Sequence, residues 1–135
     1  MNPYLSFRDH AIDAMTFYQS VFGGELTSSS FDDFGMSDDP ADAGKTMHSQ
    51  LRTDDGWVLM AADLPAAIEL VRSNTLSVSL SGGRDEHTRL SDWFERLSDG
   101  GQVLQPLEQA PWGDSFGSCT DRFGTTWMVN IGGAD

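Results

Sequence analysis

An α+β fold built of two consecutive βαβββ units is what this 135-residue sequence predicts, and three observations predict it. The order strand, helix and three further strands is legible twice along the chain. Each helical stretch carries an adjacent aromatic pair, Phe17-Tyr18 or Trp93-Phe94, and stops at a glycine pair, Gly23-Gly24 or Gly100-Gly101. Each half then closes on a hairpin turn, Asp54-Asp55-Gly56 or Asp121-Arg122-Phe123-Gly124, with a tryptophan after it, Trp57 or Trp127. The single helix of such a unit covers only one face of its sheet, so the other face must find a partner or a ligand. Two units side by side form one curved sheet with helices outside and a concave groove inside.

In chain order, residues 3–7 are short, β-prone and bounded by Arg8-Asp9, which reads as a strand. Asp9 is the candidate N-cap of a helix whose apolar positions recur at Ala11, Met15, Tyr18 and Phe22, with Ala14, Phe17 and Val21 alongside. Residues 25–31 resume as a Ser/Thr-rich strand. Residues 32–44 have turn composition and hold five acids, so a mobile surface loop is expected there. Strands 45–53 and 57–63 flank the first hairpin turn, and residues 64–74 form a linker with a candidate turn of helix at 66–71. The second unit repeats the order with an alternating strand at 75–80, a helix at 85–98 striped by Leu90, Trp93, Phe94 and Leu97, and strands at 102–107, 115–120 and 125–131. The organisation expected is one domain of two modules, 1–63 and 75–135.

Composition narrows the function. At this length a chain buries roughly two-thirds of the surface its unfolded form exposes, so it folds without a metal or disulfide staple. The lone Cys119 excludes a disulfide framework and a cysteine zinc cage. With 8 Lys and Arg against 21 Asp and Glu, the formal charge of −13 argues against nucleic acid, whose affinity for proteins comes mainly from basic side chains displacing counterions. The same field repels an anionic membrane surface, and its plainest reading is a solubility-promoting exterior. Four Trp and eight Phe with regular periodicity argue against disorder. No run of about 18 apolar residues and no basic-then-apolar leader is present, so neither a membrane span nor a signal peptide is expected and the default address is the cytoplasm.

Strand alternation sorts the side chains by face. On 45–53, Met47, Ser49 and Leu51 should face the helix, leaving His48, Gln50 and Arg52 towards the groove. Pairing Thr53 with Trp57 sets Gln50 opposite Met60 and His48 opposite Ala62. His48 is thereby the candidate groove hydrogen-bonder or proton carrier, with a structural histidine bonded to neighbouring backbone as the alternative. Asp63 falls on the other face, as a cap for the following turn. On the last hairpin, Thr126, Met128 and Asn130 should point to the groove across from Ser115, Gly117 and Cys119, with Cys119 an inert small residue rather than a nucleophile. Tyr4, Ser6, Ser77 and Ser79 complete the expected lining. Trp112, in the loop 109–114, should overhang one groove end, either to stack on a flat ligand or to pack on protein. His10 is expected exposed at a helix start and His87 partly buried in packing. This lining of hydroxyls, two Met, one His and an aromatic suits a small, partly apolar molecule.

Taken together, residues 3–7, the helical Ala14-Met15-Thr16-Phe17-Tyr18 with Val21-Phe22-Gly23-Gly24, Met47-His48 with Leu51, Leu59-Met60 with Asp63, and residues 112–117 leading into 120–124 with Trp127 resemble the vicinal oxygen chelate superfamily. That superfamily includes glyoxalase I, bleomycin-resistance proteins and extradiol dioxygenases, and the match is closer still to its PhnB-like branch. The resemblance implies the paired βαβββ fold, a curved mixed sheet, and a homodimer. It also implies where a divalent ion would be held, from the first and fourth strands of each module: Asn2 or Pro3, and near Met60, Thr75 and Met128. None is a competent hard-metal ligand, because a thioether is too soft and weak to replace imidazole or carboxylate. No metal and no cofactor are therefore expected.

The function expected is binding of a small, partly apolar ligand without the superfamily metal, through Tyr4, His48, Gln50, Met60, Ser77, Trp112, Met128 and Asn130. The alternative is a lyase, isomerase or dioxygenase of the glyoxalase type, metal-dependent or assisted by His48. The branch often carries a demethylubiquinone methyltransferase label. The usual S-adenosylmethionine site needs a Gly-rich turn after the first strand, where this chain has Arg8-Asp9-His10.

Overall fold

The computed structural model describes residues 1–35 and 39–133. The chain divides into two compact units, 1–72 and 73–135. The first contains β1 (Tyr4–Phe7), α1 (Ala11–Phe22), β2 (Glu25–Ser30), β3 (Thr46–Arg52) and β4 (Val58–Asp63). The second contains β5 (Val78–Gly82), α2 (His87–Ser98), β6 (Gln102–Gln109), β7 (Ser115–Thr120) and β8 (Thr126–Ile131). Each is a four-stranded mixed sheet, ordered β1-β4-β3-β2 and β5-β8-β7-β6, in which the first strand lies parallel to the fourth and the other pairs are antiparallel.

Each helix lies on one face of its own sheet. Ala11, Ala14, Met15, Tyr18 and Val21 of α1 are buried with Phe7, Leu51, Leu59 and Ala61, and Leu90, Trp93, Phe94 and Leu97 of α2 with Leu80, Cys119, Trp127, Val129 and Ile131. Fully burying one such large apolar side chain is worth about 1.5–3 kcal/mol, so these two stripes supply most of the drive to fold each unit. The glycine pairs matter because the chain must turn tightly from helix into edge strand. Gly23 and Gly100 adopt φ of 74° and 77°, and a Cβ on Gly24 or Gly101 would lie 2.2 or 2.1 Å from the carbonyl oxygen of Arg52 or Thr120.

Several boundaries differ from the sequence expectation. The first strand of the second unit begins at Val78 rather than Thr75, so Ser77 precedes it and is exposed. The second helix starts at His87 after a single 3-10 turn at Arg84–Glu86, and His87 is exposed rather than packed. The 66–71 stretch holds only a turn closed by Ile68 N–H on the Pro65 carbonyl, 2.9 Å. The expected loop at 32–44 contains 3-10 turns at Asp32–Phe34 and Pro40–Asp42, and its residues 36–38 lie outside the described residues. A shift in the β2–β3 register, where Ser29 pairs with His48 and Ser30 with Thr46, buries Thr46 in place of Met47. Trp57 is not the counterpart of Trp127. It precedes its strand and packs on Phe22 at 6.0 Å, whereas Trp127 lies within β8 at 1% exposure.

Candidate functional site

The face of each sheet turned away from its helix carries the side chains expected to line a groove. In the first unit, register aligns Tyr4, Met60, Gln50 and Thr27 across all four strands of that face. Ser6 pairs with Ala62, and His48 with Ser29, one step further along it. Gln50 does stand opposite Met60, as the hairpin spacing predicts. Tyr4 stacks on His48 with ring centroids 6.0 Å apart and planes at 29°. This aromatic pairing was not legible from strand alternation alone, because Tyr4 and His48 lie on strands that do not neighbour one another.

The second unit repeats the arrangement with other chemistry. Ser79, Met128, Ser118 and Gln105 form the row equivalent to Tyr4, Met60, Gln50 and Thr27, and Ser81, Asn130, Phe116 and Glu108 form the next. The residues across from Asn130, Met128 and Thr126 are therefore Phe116, Ser118 and Thr120. Ser115, Gly117 and Cys119 instead pair with Ile131, Val129 and Trp127, on the helix side. The alternation of β7 misleads because its inward residues are small: the bulky Trp93 and Phe94 of α2 already fill that layer, and β6 approaches so closely that a Cβ on Gly117 would meet Leu107 Cα at 2.8 Å.

Trp112 is 75% exposed and lines a cleft of about 240 Å³ with Gln105, Glu108, Gln109, Pro111 and Phe116. Its loop is held by its own hydrogen bonds. Ala110 N–H donates to Asp114 O at 2.6 Å, Gly113 N–H to Ala110 O at 2.9 Å, and Gln109 Nε2 to Gly113 O at 3.2 Å. Gly113 has φ of 105°, which favours glycine at that point of the turn. Phe116, Glu108 and Gln105 were missed at the sequence level, since β6 bulges twice and bulges break the period-two signal.

Three conspicuous polar residues prove structural. Asp63 is 4% exposed, and its two carboxylate oxygens accept from the N–H of Ala11 at 2.9 Å and of Thr46 at 3.0 Å. It thus caps the helix that precedes it in sequence rather than the turn after it. Asp9, expected as that cap, has φ of 67° and turns its carboxylate to Lys45 Nζ, 3.0 Å away. The hydrogen bond with Asp9 outweighs burial in raising the Lys45 pKa, with Asp42 at 3.4 Å adding to it. Asp121 accepts from the N–H groups of Phe123 and Thr125 and from Trp127 Nε1 at 2.8 Å. Cys119 is fully buried, and burial, reinforced by the Asp121 charge, pushes its thiol up to about 11, which suits an inert packing residue.

Of the places where the resemblance implies a divalent ion, Asn2 and Pro3 precede β1, so that Tyr4 is the residue beside Met60, and Ser79 is the one beside Met128. Thr75 lies outside the strand, its hydroxyl 2.8 Å from Ser73. A phenol, two thioethers and a serine hydroxyl do not fit a hard cation. Among the described residues no three His, Cys, Asp or Glu side chains converge as they would around an ion. No helix among them is long and apolar enough to cross a membrane.

Residues 1–130 match the family model described as 3-demethylubiquinone-9 3-methyltransferase. The chain belongs to that family. Its label is the one that the sequence reading attached to the PhnB-like branch, so the resemblance holds on that point, and solved glyoxalase/bleomycin resistance/dioxygenase proteins share the fold. Protein PA1353 of Pseudomonas aeruginosa is similar in both sequence and structure, at 35% identity and TM-score 0.80, covering 98% of this chain and 96% of that one. A PhnB protein of Bacillus cereus that carries the same methyltransferase label shares the fold at 24% identity and TM-score 0.76, over 97% of this chain and 98% of that one. A glyoxylase/bleomycin resistance protein/dioxygenase domain from Frankia sp. EAN1pec shares it at 16% identity and TM-score 0.67, over 97% and 89%. Two βαβββ units are thus the architecture of this PhnB-like chain, as its duplicated pattern predicts.

Proposed function

We propose that this PhnB-like protein binds a small, partly apolar molecule on the helix-free faces of its units, without a metal ion, and works as a homodimer. The observation that carries the reading is the donor set beside the parallel strand pairs: Tyr4 with Met60 and Ser79 with Met128 supply ring, thioether and hydroxyl surface where a metal enzyme needs imidazole or carboxylate. Tyr4, His48, Gln50, Met60, Met128 and Asn130 are the residues through which it would bind, with Ser79 and Ser81 in the place expected of Ser77. The homodimer follows from the family resemblance, and the adjacent exposed Val103 and Leu104 of β6 are apolar surface that a second copy would cover.

The family's methyltransferase label does not suit these residues. The turn after β1 is Arg8-Asp9-His10, and the α1 N-terminus beyond it is filled by the Asp63 carboxylate, so nothing there matches the glycine turn of an S-adenosylmethionine fold.

The test is a thermal-shift screen of cationic antibiotics, flat aromatics and quinones on protein stripped with a chelator, alongside elemental analysis of the purified chain. The expected result is a compound that raises the melting temperature of stripped protein and loses that effect in Met128→Arg. Stoichiometric zinc, nickel, manganese or iron, or a hit that works only with added metal, would overturn the reading.

The Tyr4–His48 stack favours one second reading, a metal-free acid–base catalyst in which His48 moves a proton and Tyr4 orients its ring. His48→Ala would then abolish turnover while ligand binding survives.

A further inference from the structure

The cleft beside Trp112 has a chemistry of its own. A tryptophan 75% exposed is unusual for so large an apolar surface, and here it is not on a slack loop: the hydrogen bonds of residues 109–114 hold the turn that presents it. The loop is tied to the end of β8 as well, through Gly133 N–H on Asp114 Oδ1 at 3.0 Å. Phe116 gives the cleft a second ring, from the helix-free face of β7, and Glu108 pairs with Phe116 across the ladder. Among the described lining residues Glu108 is the only charged one; the others are aromatic, proline, alanine or neutral amide. Two aromatic side chains and one carboxylate, with no competing Lys or Arg among them, favour a cation that is also greasy. A small metal ion or a primary ammonium would remain better hydrated in water, whereas alkyl-substituted ammonium loses little hydration and gains from both rings. The volume of about 240 Å³ admits more than a bare methylammonium head. The formal charge of −13 raises the local concentration of any cation.

We infer that this cleft is a subsite for an organic ammonium cation, a positively charged nitrogen carrying alkyl or aryl substituents, seated between Trp112 and Phe116 with Glu108 as its counter-charge. The inference rests on the reading of the helix-free face as the ligand face and names the class of group that face accepts.

Isothermal titration with benzyltrimethylammonium, and in parallel with choline and its neutral isostere 3,3-dimethylbutan-1-ol, tests it at constant ionic strength. The expected result is binding of both cations but not of the alcohol, weakened about tenfold by Trp112→Ala and several-fold by Glu108→Gln, on the scale of a partly desolvated cation–π contact. Both positions are exposed, and unchanged circular dichroism and melting temperature would show that the variants fold. Equal binding of alcohol and choline, cation binding that ignores both substitutions, or no binding of either cation would overturn the subsite. The broader reading fails separately. If Met128→Arg abolishes a screening hit that Trp112→Ala leaves intact, the ligand face stands and the cleft falls. If cations still bind the cleft while no compound senses Met128→Arg, the cleft stands and the wider face falls.

Discussion

The two units share strand order and register, yet they attach helix to sheet differently. In the first, the last residue of β4 is Asp63, paired with Phe7, and its buried carboxylate reaches up to the N–H of Ala11. In the second, the equivalent residue of β8 is Ile131, paired with Gly82. There the helix comes close instead, and a Cβ on Gly82 would lie 2.9 Å from Leu90 Cδ1. One unit satisfies its helix terminus with a charge and the other fills the same space with packing. The helix-free faces diverge in the same way. Register places His48 and Phe116 at equivalent points of β3 and β7, so one unit presents an imidazole stacked on Tyr4 and the other a phenyl ring at the cleft of Trp112. A repeated backbone thus fixes where side chains stand without fixing their chemistry.

The sharpest way to break the comparison is Asp63→Ala. It removes two hydrogen bonds to a buried carboxylate and leaves the N–H groups of Ala11 and Thr46 without it, so urea unfolding should show a loss of about 3–4 kcal/mol. Asp63→Ile, which installs the residue of the other unit, should not rescue it. A loss below about 1 kcal/mol would mean that the carboxylate is not what holds α1.

Next come the paired glycines, where the units meet the same close contact, although Gly24 alone of the two also has a positive φ, 95°. Gly24→Ala and Gly101→Ala each drive a Cβ to within 2.2 Å of a backbone carbonyl oxygen, and backbone cannot step aside as a flexible side chain can. Each should cost about 2–3 kcal/mol. If one were tolerated, the equivalence of the two helix-to-strand turns would fail.

The smallest effect is a pH dependence. Cys119 pairs with Trp127 as Leu51 pairs with Leu59, so it occupies the leucine position of the first unit with a group that can ionise. Its folded pKa of about 11 exceeds the ordinary 9.0, so the folded chain holds the proton more tightly than the unfolded one. The associated stability is complete below pH 9.0 and lost as pH rises towards 11. Denaturation across that range should show the advantage of the wild type over Cys119→Ala shrinking by about 2 kcal/mol. Lys45 loses its ion pairs at high pH in both proteins, so it drops out of the difference. A constant difference would show that the folded chain does not raise the thiol's pKa.

Much of this was readable from residue order. Apolar periodicity, the glycine pairs and the hairpin turns are local signals, and they were enough for two βαβββ units, the Gln50–Met60 register and the placing of Met60 and Met128 on the faces away from the helices, because nearest-neighbour geometry sets a strand's period and a turn's length. Which side of β7 faces the helix, which carboxylate caps α1, and that Phe116 and Glu108 join Trp112 at one cleft were settled by tertiary packing alone. Those outcomes depend on volumes and hydrogen-bond partners brought together from distant stretches of chain: small residues face inward where a neighbouring helix has already filled the space, and a buried carboxylate goes to whichever unsatisfied N–H the fold places within reach.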